Sequence, residues 1–161
     1  MSTVDTKQVH DHWIDAEQRR HDRSTFLTDL IGKPWAANAS GPEVFDCWHL
    51  ARHVEAALFG RDVPTVSVPA KPSWDWMIRT IETHPERHNW HLVSEDAMGL
   101  IRAKDGALVL MARYDRPAHI GVWLAPERCV IHADARFGVV CEPPIELKTK
   151  GWTKLRFFEP I

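Results

Sequence analysis

The feature that most limits the fold of this chain is a change in the spacing of its apolar residues near position 90. Before that point, apolar residues recur every three or four positions, which is the spacing of amphipathic helices. From Trp90 onwards they occur in short runs separated by Asp-Gly, Arg-Pro, Ala-Pro-Glu and Pro-Pro, which is typical of strands joined by turns. Helices followed by antiparallel strands predict an α+β fold rather than a doubly wound parallel sheet.

Three helices are predicted in the first half of the chain. Residues 4–31 are strongly polar and predict a helix with a break near 22–24. A second helix is predicted between Phe45 and Gly60, because glycine commonly ends helices in the left-handed conformation. A third is predicted over 74–83, where the following proline ends it.

The second half predicts six short strands that form a meandering antiparallel sheet. They are expected at residues 90–93, 107–112, 119–124, 130–133, 137–140 and 152–158.

Length and charge exclude several classes of protein. The chain has 161 residues, which fits one ordinary domain. Its 20 Lys and Arg residues against 22 Asp and Glu residues give a formal charge of −2, so a broad cationic surface for nucleic acid is not expected. No apolar run approaches the roughly 20 residues of a membrane span. The polar N-terminal segment does not resemble a secretion signal, so none is expected.

The three cysteines predict at least one free thiol. Cys47, Cys129 and Cys141 are odd in number, and their spacings are unlike a disulfide framework. We expect Cys129 and Cys141 to be two thiols packed in the sheet rather than a redox pair. Synthesis in a reducing cytosol fits this expectation.

Cys47 is the candidate nucleophile. It follows Asp46, a capping type of residue, in the first turn of the second helix. The unpaired amides and dipole of a helix N-terminus favour an anion, which predicts a lowered thiol pKa and a reactive thiolate. The alternative is a buried cysteine that serves as a small apolar residue.

Two histidines are candidates for the partners of this thiol. His119 begins one predicted strand and His132 lies in the next, so a hairpin would bring the two rings together. His119 is then the candidate base, and His132 the residue that orients it. Each histidine alone is more often a hydrogen-bonded structural residue.

Other histidines are spaced like zinc ligands. His84, His88 and His91 follow one another at helical intervals, and His49 and His53 are four residues apart. No cysteine pair lies nearby and a proline interrupts the first group. We therefore expect a solvated polar segment, with no metal and no cofactor.

Five ordered blocks of sequence resemble the NlpC/P60 family of papain-like cysteine peptidases. The resemblance covers residues 31–158. It lies in GKPW at 32–35, GPEVFDCWHL at 41–50, GALVLM at 106–111, HIGVWL at 119–124 and VIHA at 130–133. In phage-type members of the family the cysteine is commonly followed by Trp, and Trp48 stands at that position here, so the chain resembles these members in particular.

This resemblance implies a papain-like domain over residues 31–161 after a helical extension over residues 1–30. Its nucleophile would stand at a helix N-terminus packed on an antiparallel sheet. The implied catalytic residues are Cys47, His119 and His132, and the implied substrate-binding residues are Trp35, Asp46, Trp48 and His49.

Two residues of this set depart from the family pattern. His49 stands where glycine is usual, and Trp35 stands where many members have tyrosine. These changes bear on substrate preference and turnover more than on fold.

The resemblance also implies a function. The substrate would be the stem peptide of peptidoglycan, cut between D-glutamate and a diamino acid, with no metal or cofactor. The protein would be made in the cytoplasm, carried with other tail proteins in a phage or gene-transfer-agent particle, and act on the cell wall in the periplasm. The alternatives are a structural tail or hub component without turnover, and an acyltransferase or deamidase that uses the same Cys-His pair.

Overall fold

A computed structural model describes residues 6–95 and 101–161 of the protein. It divides into two compact units, the first reaching to Ile31 and the second running from Gly32 to Ile161. In the described part of the chain, no helix is both long enough and apolar enough to span a bilayer.

The first unit contains one continuous helix, α1 (Thr6–Leu30). The predicted break near residues 22–24 is wrong. Asp22, Arg23 and Ser24 are polar but do not interrupt a helix, and the Gln18 side chain donates a hydrogen bond to Asp22 across one turn at 2.9 Å. Residues 4 and 5 of the predicted helix lie outside the described residues.

The next two helices agree with the sequence prediction. Helix α2 (Cys47–Phe59) ends at Gly60, whose φ of 63° is the left-handed conformation that favours glycine. Helix α3 (Trp74–Thr83) starts after Ser73, whose side chain accepts a hydrogen bond from the amide of Trp76. A 3₁₀ helix over Pro85–Asn89, which the sequence did not predict, follows it.

The second half forms a six-stranded sheet in which all neighbours are antiparallel, which confirms the α+β class. A short helix, α4 (Pro144–Thr149), which the sequence did not predict, precedes the last strand. The strands are β1 (Trp90–Glu95), β2 (Leu108–Ala112), β3 (His119–Leu124), β4 (Cys129–Asp134), β5 (Gly138–Glu142) and β6 (Lys154–Pro160).

The order of the strands is β1-β6-β2-β3-β4-β5, so the simple meander holds only from β2 to β5. Strand β6 returns across the sheet and pairs with both β1 and β2. The predicted meander over all six strands is therefore wrong, because the last strand is inserted between the first two.

Helix α2 packs on β3 and β4, the two strands that carry the candidate histidines. Its side chains Leu50 and Val54 are fully buried. Gly121 lets β3 and β4 approach closely at this point. A Cβ atom on Gly121 would lie 2.6 Å from Cγ1 of Val130 and 3.2 Å from Cβ of His132.

Cys129 of β4 and Cys141 of β5 form a disulfide, so the prediction of two thiols is wrong. The β4–β5 register pairs Ile131 with Cys141 and brings the Cα atoms of the two cysteines to 5.7 Å, a distance that a disulfide spans. The expectation of a reducing compartment was drawn from free thiols in the sheet, and the disulfide removes that support. Cys47 is a free thiol, as predicted.

Candidate active site

Cys47 is the first residue of α2. The Asp46 side chain caps the helix by accepting a hydrogen bond from the amide of His49 at 2.8 Å. The backbone N–H groups of Cys47 itself, Trp48 and Ile120 face the sulfur and favour its thiolate. Ile120 is the neighbour of His119 in β3, so the sulfur lies beside the strand that carries the candidate base.

The predicted lowering of the Cys47 pKa is wrong. The pKa of this thiol is raised from 9.0 to about 12, chiefly by burial and in second place by the negative charge of Asp46. The amides at the helix N-terminus act in the opposite direction but are the weaker influence. The sulfur is therefore a neutral thiol at neutral pH.

His119 and His132 form a hydrogen-bonded pair. Nε2 of His119 lies 2.9 Å from Nδ1 of His132, and the rings meet edge to face at 85°. The β3–β4 hairpin that brings them together is the one predicted. His119 is 8% exposed and His132 is fully buried. Burial is the main cause that holds the pKa of His119 well below 6.5, and the positive charge of Arg113 acts in the same direction, so this imidazole is neutral at neutral pH.

A third residue, Glu142, continues this chain of contacts and was missed by the sequence analysis. Its Oε1 lies 3.1 Å from Nε2 of His132, and its Oε2 forms an ion pair with the ammonium of Lys150. Glu142 is 4% exposed. The signal that would have found it is a carboxylate at the end of an apolar strand next to the strand of His132.

Cys47 and His119 line the same cleft, whose volume is about 600 Å³. The ring of Trp152 forms part of its wall and stacks on His119, with centroids 4.9 Å apart and planes 15° apart. The sequence analysis did not single out this tryptophan. Four charged side chains also line the cleft: Arg113, Asp134, Arg136 and Lys150.

The predicted substrate-binding residues occupy different places. Trp35 lines the cleft beside Cys47. Trp48 lines two smaller apolar cavities, and its Nε1 donates a hydrogen bond to the carbonyl of Pro64 at 2.7 Å.

Asp46 and His49 are buried against each other rather than exposed in the cleft. They are 2% and 4% exposed, and Nδ1 of His49 lies 2.9 Å from both carboxylate oxygens of Asp46. The geometry therefore gives them a role in capping α2. Asp46 also lines one of the smaller cavities together with Cys47, and contact of Asp46 or His49 with substrate stays a prediction.

The histidine group at positions 84, 88 and 91 does not assemble a metal site. Nδ1 of His84 accepts a hydrogen bond from the amide of Glu86 at 3.1 Å. Within residues 6–95 and 101–161, no three His, Cys, Asp or Glu side chains are grouped so that they would hold a metal ion.

No family model and no curated protein matches the sequence. Among solved structures, the chain is similar to a crystal structure of the NlpC/p60 domain of the peptidoglycan hydrolase SagA. The two are 17% identical and superpose with a TM-score of 0.48, over 81% of this chain and 91% of that one. Membership of the family that the sequence resembles therefore stays a prediction.

Proposed function

We propose that this chain is a papain-like cysteine hydrolase of the NlpC/P60 type that cuts amide bonds in the peptide stems of peptidoglycan. One observation carries the proposal. A free thiol and an imidazole line the same cleft, and a second, buried imidazole holds the first at 2.9 Å. A nucleophile, a base and a residue that orients the base are the parts that acyl transfer requires.

The two reacting groups start as a neutral pair in this mechanism. As the sulfur of Cys47 attacks the substrate carbonyl, its proton passes to His119. The tetrahedral intermediate then collapses, the C–N bond breaks, and His119 gives that proton to the departing amine. A water molecule, deprotonated by His119, cleaves the thioester and restores the thiol. His132 is the positioning residue in this scheme.

The helix N-terminus also supplies a place for the negative charge of the intermediate. The backbone N–H groups of Cys47 and Trp48 already face the sulfur, so an oxyanion formed on the attacked carbonyl would lie near them. Trp35 lines the same part of the cleft and carries an indole N–H donor. It would take the place of the tyrosine hydroxyl that many members of the family have.

We further propose that the bond cut is the one between D-glutamate and the diamino acid of the stem peptide. A stem peptide carries free carboxylates. Arg113 and Arg136 line the cleft together with large aromatic rings, and they outnumber Asp134, the one carboxylate of the lining, while Lys150 is paired with Glu142. Guanidinium groups suit carboxylates because they donate paired hydrogen bonds. This lining supports an anionic peptide as the substrate.

The proposed setting is the tail of a phage or gene-transfer-agent particle that opens the wall locally, with other tail proteins as partners. The Trp that follows the cysteine, as in phage-type members, supports this setting. The Cys129–Cys141 disulfide supports an oxidising place of action such as the periplasm, after synthesis in the cytoplasm.

The test is cleavage of purified sacculi by the wild-type protein beside a Cys47→Ser variant. We expect the wild type to release free amino groups and muropeptides cut within the stem, and the variant to release none. Mass spectrometry of the fragments identifies the bond. Equal release by both proteins, or none by either, would reject the proposal.

A structural tail component without turnover is the second candidate, and one observation favours it. His49 stands where the family pattern has glycine, two residues after the nucleophile, and its ring is buried against Asp46. Particles that assemble with the Cys47→Ser protein and infect as well as the wild type, together with inert sacculi, would favour this candidate.

A further inference from the structure

The contacts beyond His132 determine which nitrogen of His119 carries a hydrogen. Glu142 is 4% exposed and its Oε1 lies 3.1 Å from Nε2 of His132. An ionised carboxylate can only accept hydrogen bonds, so Nε2 of His132 must be the donor. A neutral His132 then has its lone pair on Nδ1.

The same reasoning extends to the next ring. Nδ1 of His132 lies 2.9 Å from Nε2 of His119, so that Nε2 must donate the hydrogen bond. A neutral His119 is then left with its lone pair on Nδ1. That lone pair is the one available to a proton from the cleft, which His119 lines together with Cys47.

We infer that Glu142 is a positioning residue of this site: through His132 it fixes the tautomer in which His119 accepts the Cys47 proton, and Lys150 is the counter-ion that keeps this carboxylate ionised. The inference rests on the proposed roles of Cys47 and His119. It adds two residues that touch neither the thiol nor the base.

Lys150 suits this role because it both pairs with the buried carboxylate and lines the cleft. Its ammonium is paired with Oε2 of Glu142, and its side chain is 40% exposed. The hydrogen bond from His132, with that from Lys150 second among the favourable influences, holds the pKa of Glu142 below its usual value. The carboxylate is therefore ionised throughout the neutral range.

Protonation or replacement of Glu142 would reverse the order of donors. A carboxylic acid at position 142, or an amide whose oxygen accepts from the Lys150 ammonium, donates a hydrogen bond to Nε2 of His132, which moves the hydrogen of that ring to Nδ1. His132 then donates to His119, and the hydrogen of His119 moves to Nδ1. In that form the imidazole is unable to take a proton from Cys47.

The first test is Glu142→Gln, which keeps the size and removes the charge. The readout is alkylation of Cys47 by iodoacetamide, which does not depend on peptidoglycan. Near pH 7, where the thiol reacts only if His119 takes its proton, we expect alkylation to slow by roughly tenfold or more. Near pH 10, where hydroxide supplies more thiolate, the two rates should converge. Glu146→Gln, an exposed site in α4, is the matched control and should react like the wild type.

The second measurement is the tautomer itself. In protein labelled with ¹⁵N-histidine, both His119 and His132 should carry their hydrogen on Nε2 in the wild type and on Nδ1 in the folded Glu142→Gln variant. Single-histidine substitutions assign the resonances.

A second variant guards against misfolding of the first. Lys150→Gln changes a half-exposed side chain and leaves the carboxylate in place. Loss of the ammonium should raise the pKa of Glu142, so alkylation should match the wild type in the alkaline range and fall below it as the pH is lowered.

The outcomes separate this inference from the proposed function. A shift of both tautomers with slower alkylation upholds the inference even if sacculi stay intact, and then the proposed substrate is wrong. A folded Glu142→Gln protein with wild-type alkylation and an Nε2–H His119 overturns the inference, whatever the peptidase activity.

Discussion

His119 stacks on Trp152, with ring centroids 4.9 Å apart and planes 15° apart, while its edge is hydrogen bonded to His132. Trp152 belongs to the segment between α4 and β6 and is 5% exposed. The guanidinium of Arg113 lies 4.3 Å from the centroid of the same indole. The candidate base is therefore held by one ring on a neighbouring strand and by a second ring on a different part of the chain.

Replacing Trp152 with Leu should lower kcat for sacculus cleavage by about tenfold, with a smaller change in KM, because the imidazole loses the surface that orients it. Trp152→Phe keeps an aromatic face and is the matched variant, and it should retain most of the activity. Equal kcat values for the wild type and the folded Leu variant would contradict this role.

Iodoacetamide should label Cys47 alone when no reductant is present. Cys129 and Cys141 are bonded to each other, and these three are all the cysteines of the chain. Because the pKa of the Cys47 thiol is raised to about 12, the labelling rate should keep rising with pH beyond about pH 9. Intact-mass measurements count the labels, and Cys47→Ser gives the blank. A rate that levels off near neutral pH would contradict the raised pKa.

His119→Ala should reduce kcat/KM more than His132→Ala does. The first variant removes the group that carries the proton, an effect of roughly 10²- to 10⁴-fold, whereas the second removes only its orienting partner. Michaelis–Menten kinetics on a stem-peptide substrate distinguish the two. The opposite order would exchange the roles of the two histidines.

The acid side of the activity profile should lie well below the usual titration range of histidine. The neutral form of His119 is the base, and its pKa is lowered from 6.5, so the base remains unprotonated as the pH falls through about 6.5. Measured kcat/KM should therefore show no decline at the ordinary histidine pKa of about 6.5 and should decline only at lower pH. A midpoint at or above the ordinary histidine value would be inconsistent with this environment.

Glu55 of α2 should make the fold less stable as the pH rises. Its side chain is fully buried, its Oε2 lies 3.0 Å from Arg61, and its Oε1 has no hydrogen-bond partner among the described residues. Burial raises the pKa of this carboxyl from 4.5 to about 7 against the opposing effect of Arg61.

Between pH 4.5 and about 7, the Glu55 carboxyl holds a proton in the folded protein and has released it in the unfolded chain. The protonated carboxyl therefore contributes its full stabilisation below about pH 4.5, and this contribution is lost as the pH rises through about 7. The free energy of unfolding should fall by about 2 kcal/mol between about pH 5.5 and about pH 8. Urea denaturation of the wild type and Glu55→Gln measures this, and the variant should lose most of the slope. Exposed Glu146→Gln serves as the control, and its slope should equal that of the wild type.

The parts of the fold that the sequence predicts well are those with local signals at their ends. Helix α3 was predicted with both of its boundaries, from its apolar spacing and from Pro85, which stops its continuation. In the structure, Ser73 caps its start. The β3–β4 hairpin, which brings His119 to His132, was likewise predicted from its apolar runs and the turn between them.

The parts that it predicts poorly depend on distant pairing. Nothing in residues 154–160 indicates that β6 inserts between β1 and β2, because any strand of similar length presents the same hydrogen-bonding edges. The disulfide was not predicted for the same reason. Cys129 and Cys141 are joined because of the β4–β5 register, which their spacing along the chain does not determine.

The chemistry of the candidate site was also only partly predictable. A helix N-terminus favours a thiolate, and that local argument is sound, but the burial of Cys47 and the carboxylate of Asp46 outweigh it. Burial is a property of the packed structure. The role of Glu142 was not predicted for a similar reason, because only the β4–β5 pairing brings its carboxylate to His132.

Gly121 has a consequence for how related chains are recognised. Any side chain at this position would meet Val130 and the Cβ of His132, and would separate the two strands that present the imidazoles. A sequence with histidines aligned to 119 and 132 but a bulky residue at 121 should thus lack a working dyad. In comparisons with related sequences, glycine at position 121 together with the two histidines therefore indicates an intact imidazole pair better than either histidine alone.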